Sequence, residues 1–132
     1  MQQIVNLTLS LRVISKKNSK RVMGSRFGKK MIVLPSVAYG QFQSDAIAEL
    51  RQQIYSNDVL RKLLPITRQV QIDTSFQIKG KYQVDADNLH TSILDVLMAA
   101  NVIDDDNQVV SGSYSKTTGA DEWFTLIRII IL

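Results

Sequence analysis

The chain contains no cysteine, a single histidine and no long run of apolar residues. The missing cysteine excludes disulfide bonds, zinc–thiolate sites and thiol nucleophiles, and it suits a reducing cytoplasm. One histidine without a partner argues against a zinc hydrolase. The apolar run from Ile129 to Leu132 is far shorter than the roughly 20 residues of a membrane span, and the amino terminus lacks the apolar region of a signal peptide. These absences predict a soluble cytoplasmic protein.

Acidic residues are absent from the first third of the chain. Residues 1–44 contain eight Lys or Arg and no Asp or Glu, whereas the remainder contains eight basic and twelve acidic residues, so that the two parts carry formal charges of +8 and −4. Such polarity is typical of a protein that attracts a polyanion to one surface and holds carboxylates at another. A solvated basic loop is the alternative from charge alone. The candidate DNA contacts are Lys16, Lys17, Lys20, Arg21, Arg26, Lys29, Lys30 and Lys81.

Apolar periodicity in the first half of the chain predicts a strand, a loop and a helix. Val5 to Val13 alternates apolar and polar residues, which predicts a half-buried strand. Lys16 to Lys30 has no apolar period and is predicted to be an exposed loop, which can return as a hairpin through Met31 to Leu34. Ser36 is a suitable N-cap for an amphipathic helix from Val37 to about Ile54.

The second half of the chain is predicted to complete an α+β fold. The final segment is apolar on both faces apart from Arg128, which predicts a central strand or a subunit interface. The whole chain, residues 1–132, is predicted to be one domain in which two main helices cover a mixed β-sheet. The predicted elements are a strand at Ile66–Ile78, a helix capped by Asp87 and ending near Ala100, a turn at Asp104–Asn107, a strand at Gln108–Lys116, a hairpin loop at Thr117–Ala120 and a strand at Trp123–Leu132.

Half of the acidic residues, six of twelve, lie between Asp85 and Asp106. Like charges gathered so closely predict a bound cation. Asp85 and Asp87 are two residues apart, which in an extended segment directs both side chains to one side. Two or three carboxylates with a substrate phosphate suit Mg²⁺, which can activate a phosphodiester for hydrolysis. Taken singly, Asp87 can be only a helix cap and Asp104 to Asp106 only a turn. Spacing alone does not show that the two clusters meet.

Three acidic motifs occur in a fixed order between residues 82 and 116. They are Asp-Ala-Asp-Asn-Leu at 85–89, Ile-Leu-Asp-Val-Leu at 93–97 and Asp-Asp-Asn-Gln-Val at 105–109, and Lys116 follows them. This pattern resembles the RusA family of Holliday junction resolvases. The resemblance implies a RusA-like homodimer and a magnesium-dependent endonuclease that resolves four-way DNA junctions by paired nicks in recombination and repair. It also implies a phage or prophage protein of the bacterial cytoplasm.

The same resemblance implies roles for individual residues. Asp85, Asp87 and Asp106 are expected to hold the metal, Mg²⁺ or alternatively Mn²⁺, with Asp105 contributing beside them. Asp85, Asp87, Asp106 and Lys116 form the expected catalytic set. Asn88 and Asp95 are expected to support the site.

One position departs from the family pattern. The family usually has a lysine two residues after the Asp-Asn-Leu triplet, where it can stabilise the phosphate in the transition state, and this chain has Thr91 there. Lys116, Lys81 or a lysine of the amino-terminal loop can take its place. Alternatively, the protein binds junctions without cutting them or cuts them slowly, because the loss of one electrostatic stabiliser commonly costs about two to three orders of magnitude in rate. A protein-interaction domain unrelated to DNA, with a solvent-facing basic loop, is a third reading.

Overall fold

The computed structural model describes residues 2–16, 20–24 and 31–132, with the backbone alone for residues 20–24 and 31–35. The described strands form a four-stranded sheet in the order β1-β6-β4-β5 and a separate two-stranded β2-β3 hairpin. None of the helices in these ranges is both long and apolar enough to cross a membrane. The elements are β1 (Gln3–Leu9), β2 (Lys20–Gly24), β3 (Met31–Pro35), α1 (Val37–Tyr55), α2 (Asp58–Leu63), β4 (Val70–Lys79), α3 (Ala86–Ala99), β5 (Val109–Ala120) and β6 (Phe124–Ile131).

The four-stranded sheet is mixed, as predicted. Strands β4 and β5 are parallel, whereas β6 runs antiparallel to both β1 and β4. Two parallel neighbours need a crossover connection, and helix α3 provides it between β4 and β5. Strand β6 lies centrally between β1 and β4, which confirms the predicted position of the last segment. Its residues alternate between buried and exposed, so only one of its apolar faces is covered by the rest of the chain.

Several predicted boundaries are wrong. The first strand ends at Leu9, and Lys20–Gly24, predicted to be loop, is strand β2 of the confirmed hairpin with β3. The strand predicted from Ile66 begins only at Val70.

The predicted hairpin loop at Thr117–Ala120 belongs instead to strand β5, which does not pair with β6. The backbone of this segment bonds to Gly80 after β4: Gly80 N donates to Ala120 O at 3.0 Å, and Gly119 N donates to Gly80 O at 2.8 Å. A non-local partner therefore extends the strand through residues that locally favour a turn.

The core lies between one face of the sheet and helices α1 and α3. Helix α1 buries residues spaced by three or four positions, as its predicted amphipathic pattern requires. Helix α3 buries a second apolar stripe against the sheet. The core residues that these two helices contribute are Tyr39, Phe42, Ala46, Leu50, Leu89, Ile93, Val96 and Leu97.

Strands β4 and β5 approach each other closely at Gly112. A Cβ atom at this position would lie 2.3 Å from the carbonyl oxygen of Ile72, which belongs to the backbone and cannot rotate away. We expect Gly112→Ala to separate the strands and to lower the free energy of unfolding by about 2 to 3 kcal/mol, measured by urea denaturation. The matched control is Gly40→Ala in helix α1, where no atom lies within 4 Å of the added Cβ. It should raise stability by about 0.5 to 1 kcal/mol, and equal effects of the two changes would contradict the close approach.

Candidate functional site

Helix α3 begins with two exposed carboxylates. Asp85 is the N-cap, with extended backbone angles of φ −86° and ψ 121°, and its carbonyl oxygen accepts from the backbone N–H of Leu89 at 3.2 Å. Asp87 lies in the first turn, so its predicted role as the cap is wrong. The helix begins earlier than predicted because Asp85 already accepts the first helical hydrogen bond. The positive end of the helix dipole favours both negative charges.

The Asp85 carboxylate is not used as a helix cap. N-cap aspartates commonly accept from a backbone N–H of the first turn, but the Asp85 side chain makes no such bond. Its Oδ2 accepts instead from the Asn88 side-chain amide at 3.4 Å. Asn88 is therefore placed to orient Asp85, which agrees with its expected supporting role. Both Asp85 and Asp87 keep oxygen lone pairs available on the protein surface.

Lys116 lies at the same end of α3. It projects from β5 at the position paired with Phe76 of β4, and its Nζ donates to the carbonyl oxygen of Val84 at 2.6 Å. Val84 directly precedes Asp85. The parallel β4-α3-β5 crossover explains this proximity, because the carboxyl ends of two parallel strands and the start of the intervening helix share one edge of the sheet. The structure therefore brings an exposed lysine to the backbone that carries Asp85.

The second acidic cluster lies at the opposite end of α3. Asp105 and Asp106 follow its carboxyl terminus, and a helix of 14 residues is about 20 Å long. The Asp105 side chain caps a single 3-10 turn at Asp106–Gln108 and accepts from Asn107 N at 2.9 Å. The side chain of Gln108 donates to the carbonyl oxygens of Ile66 at 2.7 Å and of Arg68 at 2.8 Å. These bonds fix the acidic cluster beside the start of β4.

The two carboxyl groups of this cluster interact with each other. A hydrogen bond from the backbone N–H of Asn107 and a second one with the Asp106 side chain lower the pKa of Asp105. The hydrogen bond with Asp105 raises the pKa of Asp106. Asp106 is thus the member of the pair that takes up a proton first as the pH falls.

The four residues predicted to bind metal are divided into two pairs. Asp85 and Asp87 lie where α3 begins, and Asp105 and Asp106 lie beyond its end. Among the residues that the structure describes, no three of His, Asp or Glu converge on one point. Asp95 lies between the two ends of α3, and its Oδ2 accepts a hydrogen bond from the Tyr39 hydroxyl at 3.3 Å. Burial, together with the nearby charge of Asp95 and this hydrogen bond, raises the pKa of Tyr39 to about 12.

Asp85 and Asp87 fit a hard divalent cation. Mg²⁺ takes oxygen ligands, retains several waters and is commonly held by one or two carboxylates together with substrate phosphate oxygens. The first turn of α3 offers two exposed carboxylates, one of them oriented by an amide. Neither is engaged in a salt bridge, since the described residues contain only the ion pair of Arg61 with Asp58. The donor set therefore suits magnesium or manganese and no thiophilic metal.

The basic residues predicted to contact DNA are only partly described. Lys16 and Lys81 are exposed, and the backbone N–H of Lys16 donates to the hydroxyl of Ser92 in α3 at 3.4 Å. Lys16, the last described residue before the gap at residues 17–19, therefore lies beside α3, the helix that begins at Asp85 and Asp87. Lys17, Arg26, Lys29 and Lys30 lie outside the described residues, and Lys20 and Arg21 are described in their backbone alone.

The side chain of His90, in the first half of α3, is half-buried and contacts residues of β4 and β5. Its Nδ1 lies 2.7 Å from the hydroxyl of buried Thr74, and its ring centroid lies 5.5 Å from that of Tyr114. Burial lowers the pKa of His90, and the negative charge of Asp73 partly offsets this effect. The neutral imidazole is therefore the form that the folded protein favours.

This burial predicts a pH dependence of stability. Because the folded pKa lies below the unfolded value of about 6.5, the unfolded chain binds the proton more readily, and stability falls as the pH is lowered through this range. We expect the urea midpoint to be lower at about pH 5.5 than at about pH 8, and His90→Gln to reduce the difference. An unchanged difference in His90→Gln would assign the effect to the carboxylates instead.

Sequence reasoning missed three neighbouring residues close to Asp85. The guanidinium carbon of Arg12 lies 4.7 Å from the ring centroid of Tyr82 and 5.3 Å from that of Trp123. The two rings are 5.5 Å apart. The sequence shows that Tyr82 lies three positions before the first acidic motif. Its contacts with Arg12 and with Trp123, the only tryptophan, depend on the tertiary fold and could not be predicted from the sequence.

Comparison with known proteins agrees with the acidic motifs. The family model described as "Endodeoxyribonuclease RusA" matches residues 14–129 of the 132-residue chain. The match spans both ends of α3, strand β5 and the basic segment. A search of curated proteins found no match.

Proposed function

The chain belongs to the RusA endodeoxyribonuclease family, and from this premise we propose that it is a magnesium-dependent, structure-specific nuclease that resolves four-way DNA junctions by paired nicks. The family consists of nucleases that act on Holliday junctions. The observation that carries the proposal is the start of α3, where Asp85 and Asp87 are exposed and the Asp85 side chain caps no backbone N–H group. Lys116 lies beside them.

In this proposal Asp85 and Asp87 would hold the metal beside the scissile phosphate. A bound Mg²⁺ supplies electrophilic activation of the phosphoryl group and of the attacking water. The chain itself positions the phosphate at the dipole-positive start of α3, where the backbone N–H groups of the first turn favour an anion. Asn88 restrains Asp85, so that the carboxylate keeps one orientation while substrate binds.

Lys116 is the proposed replacement for the family lysine that is missing at Thr91. Thr91 is exposed and its hydroxyl donates to the carbonyl oxygen of Asp87 at 3.0 Å, so it brings no charge to the site. Among the described residues, the Lys116 ammonium donates to one carbonyl oxygen, which leaves donors for a phosphate oxygen. It would stabilise the charge that develops on the phosphoryl group in the transition state.

Asp106 enters the site in this proposal through a homodimer. One chain holds Asp106 and Asp85 at opposite ends of α3, so a site that contains both requires a second chain. Strand β5 is the proposed dimer contact. It has 12 residues, is exposed along most of its length and, among the described strands, pairs with β4 on one side only. An unpaired edge of this length readily accepts another strand.

The direction of β5 supports this arrangement. A two-fold axis pairs identical strands antiparallel, so the start of one β5 lies towards the end of the other. The start of β5 follows Asp106 by three residues, and Lys116 in its second half contacts Val84, which directly precedes Asp85. Asp106 of the partner subunit would thus approach Asp85 and Asp87.

A junction-binding protein without nuclease activity is the second candidate. The uncharged Thr91 favours it, because the family lysine is absent from this position. The two candidates share the basic segment and the fold, and they differ in the need for metal. Binding that persists in EDTA without nicking in any divalent metal would identify the second candidate.

The direct test is cleavage of a synthetic four-way junction, with a linear duplex of the same arm sequences as the control. We expect paired nicks in the junction with Mg²⁺ or Mn²⁺, no nicks in EDTA and little nicking of the duplex. Binding should weaken steeply with added salt, because basic residues that contact phosphates release counterions. Equal nicking of junction and duplex, or binding without salt dependence, would contradict the proposal.

A further inference from the structure

An aromatic pair, with Tyr82 exposed and Trp123 partly buried, lies beside the candidate nuclease site. Tyr82, in the connection from β4 to α3, is 51% exposed, and its ring lies 5.5 Å from that of Trp123 at an interplanar angle of 49°. The Arg12 guanidinium lies over both rings. An arginine over two rings restrains their rotation, so the aromatic surface is ordered before any ligand arrives.

A cavity of about 320 Å³ has both Arg12 and Asp85 in its lining, so it borders the arginine that contacts the two rings as well as the acidic site. Its volume lies at the lower end of the roughly 300–1,000 Å³ that small-molecule pockets occupy. The other lining residues are Val13, Ile14, Ser15, Ala38, Gln83 and Val84. A group bound in the cavity would lie between the aromatic pair and the phosphate proposed at Asp85 and Asp87.

The charges and rings around the cavity indicate which class of ligand would bind there. The Asp85 carboxylate repels an anion unless a cation is bound there, so the end at Asp85 suits a phosphate that arrives with metal. The side of the cavity at Arg12, next to Tyr82 and Trp123, suits a flat, uncharged ring, because every nucleobase has a face that stacks on tyrosine or tryptophan. Val13, Ile14 and Val84 make part of the wall apolar, and Ser15 and Gln83 add uncharged polar groups, which suits a base better than a second phosphate. A base with its own phosphate, one nucleotide, meets both requirements.

We propose that an unstacked base next to the scissile phosphate binds at the Arg12 side of this cavity and stacks on the exposed ring of Tyr82, which Arg12 and Trp123 hold in place. The proposal rests on the proposed nuclease function and adds a nucleotide subsite to it. The four arms of a junction meet at bases that have lost part of their stacking, so unstacking a base costs least there. The subsite therefore favours the branch point over continuous duplex.

The test uses a junction with 2-aminopurine at the branch point, bound to the full chain in Ca²⁺ to allow binding without cleavage. We expect 2-aminopurine fluorescence to rise on binding and the fluorescence of Trp123, the only tryptophan, to be quenched. Tyr82→Ala should weaken junction binding by about 5- to 150-fold, the range that corresponds to one lost base–aromatic stack, and should abolish the 2-aminopurine signal. Tyr82→Phe should retain both signals, because it keeps the ring.

The matched control is Tyr55→Ala. Tyr55 is also an exposed tyrosine with an arginine near its ring, Arg61 at 5.5 Å, but it lies at the end of α1 and borders a different cavity. It should bind junctions like wild type. The nucleotide subsite would be overturned if a folded Tyr82→Ala variant bound and cut junctions like wild type and neither protein gave a 2-aminopurine signal. The proposed nuclease function would not be affected by that result. Wild type that neither binds nor cuts junctions would overturn both.

Discussion

Asp85→Asn should slow cleavage of a four-way junction by at least about a thousandfold while the protein still folds and binds the junction. The asparagine has the same shape but lacks the negative charge that holds a divalent cation, so both metal activation and alignment of the phosphate are lost. Loss of one electrostatic stabiliser alone costs about two to three orders of magnitude in rate. Asp85 is exposed and its side chain caps no backbone group, so the change should cost little stability.

The measurement is the single-turnover rate of nicking in Mg²⁺, with junction affinity determined separately in Ca²⁺. Asp45→Asn removes the same charge from an exposed aspartate of α1 and serves as the control. It should cut at the wild-type rate. A cleavage rate of Asp85→Asn within tenfold of wild type would remove Asp85 from the metal site.

Mixed dimers should recover activity that neither parent variant has. In the proposed homodimer, a site combines Asp85 and Asp87 of one chain with Asp106 of the partner subunit. A heterodimer of Asp85→Asn and Asp106→Asn chains would then concentrate both lesions in one site and leave the other intact. Random mixing of equal amounts should restore about a quarter of the wild-type sites, whereas each variant alone has none.

Two differently tagged chains, expressed together and purified through both tags, give the heterodimer for this measurement. Because it has one intact site, it should make single nicks rather than paired ones. The control heterodimer combines Asp85→Asn with Asp87→Asn, whose lesions fall in separate sites, and it should remain inactive. No recovery in the first heterodimer would show that Asp106 does not act across the dimer.

Much of the fold follows from local pattern. The apolar spacing of α1 and the alternation around Ile72 predict these elements and the faces that they bury, and the apolar last segment predicts a central strand. The segment Thr117–Ala120 shows where local pattern fails. Its glycine and threonines are typical of a turn, but the backbone bonds of Gly119 and Ala120 with Gly80 extend β5. Pairing with a distant strand outweighed the local preference, and no local pattern reports such a partner.

The candidate site was predictable residue by residue but not as an arrangement. The acidic motifs predict Asp85, Asp87 and Asp106 as site residues, and the residues matched by the family model, 14–129, include these motifs. Helix α3 lies between the Asp85 and Asp87 pair and Asp106, and its length determines the distance between them within one chain. The contact of Lys116 with Val84 depends on the parallel register of β4 and β5, which the sequence alone does not fix. The stack of Arg12 on Tyr82 and Trp123 likewise depends on tertiary packing.

Gln108 attaches the second acidic cluster to β4 rather than to α3. Its side-chain oxygen accepts from the backbone N–H groups of Asp104 at 2.8 Å and of Asp105 at 3.0 Å, while its nitrogen donates to the carbonyl oxygens of Ile66 and Arg68. These four bonds use all the donors and acceptors of the Gln108 side-chain amide and join the acidic cluster to the segment before β4. A homologue with a longer or shorter α3 could therefore move Asp85 and Asp87 while Asp106 stays in place. In the proposed homodimer, the length of α3 would then set the distance between the two sites, because one chain contributes Asp85 and Asp87 to one site and Asp106 to the other.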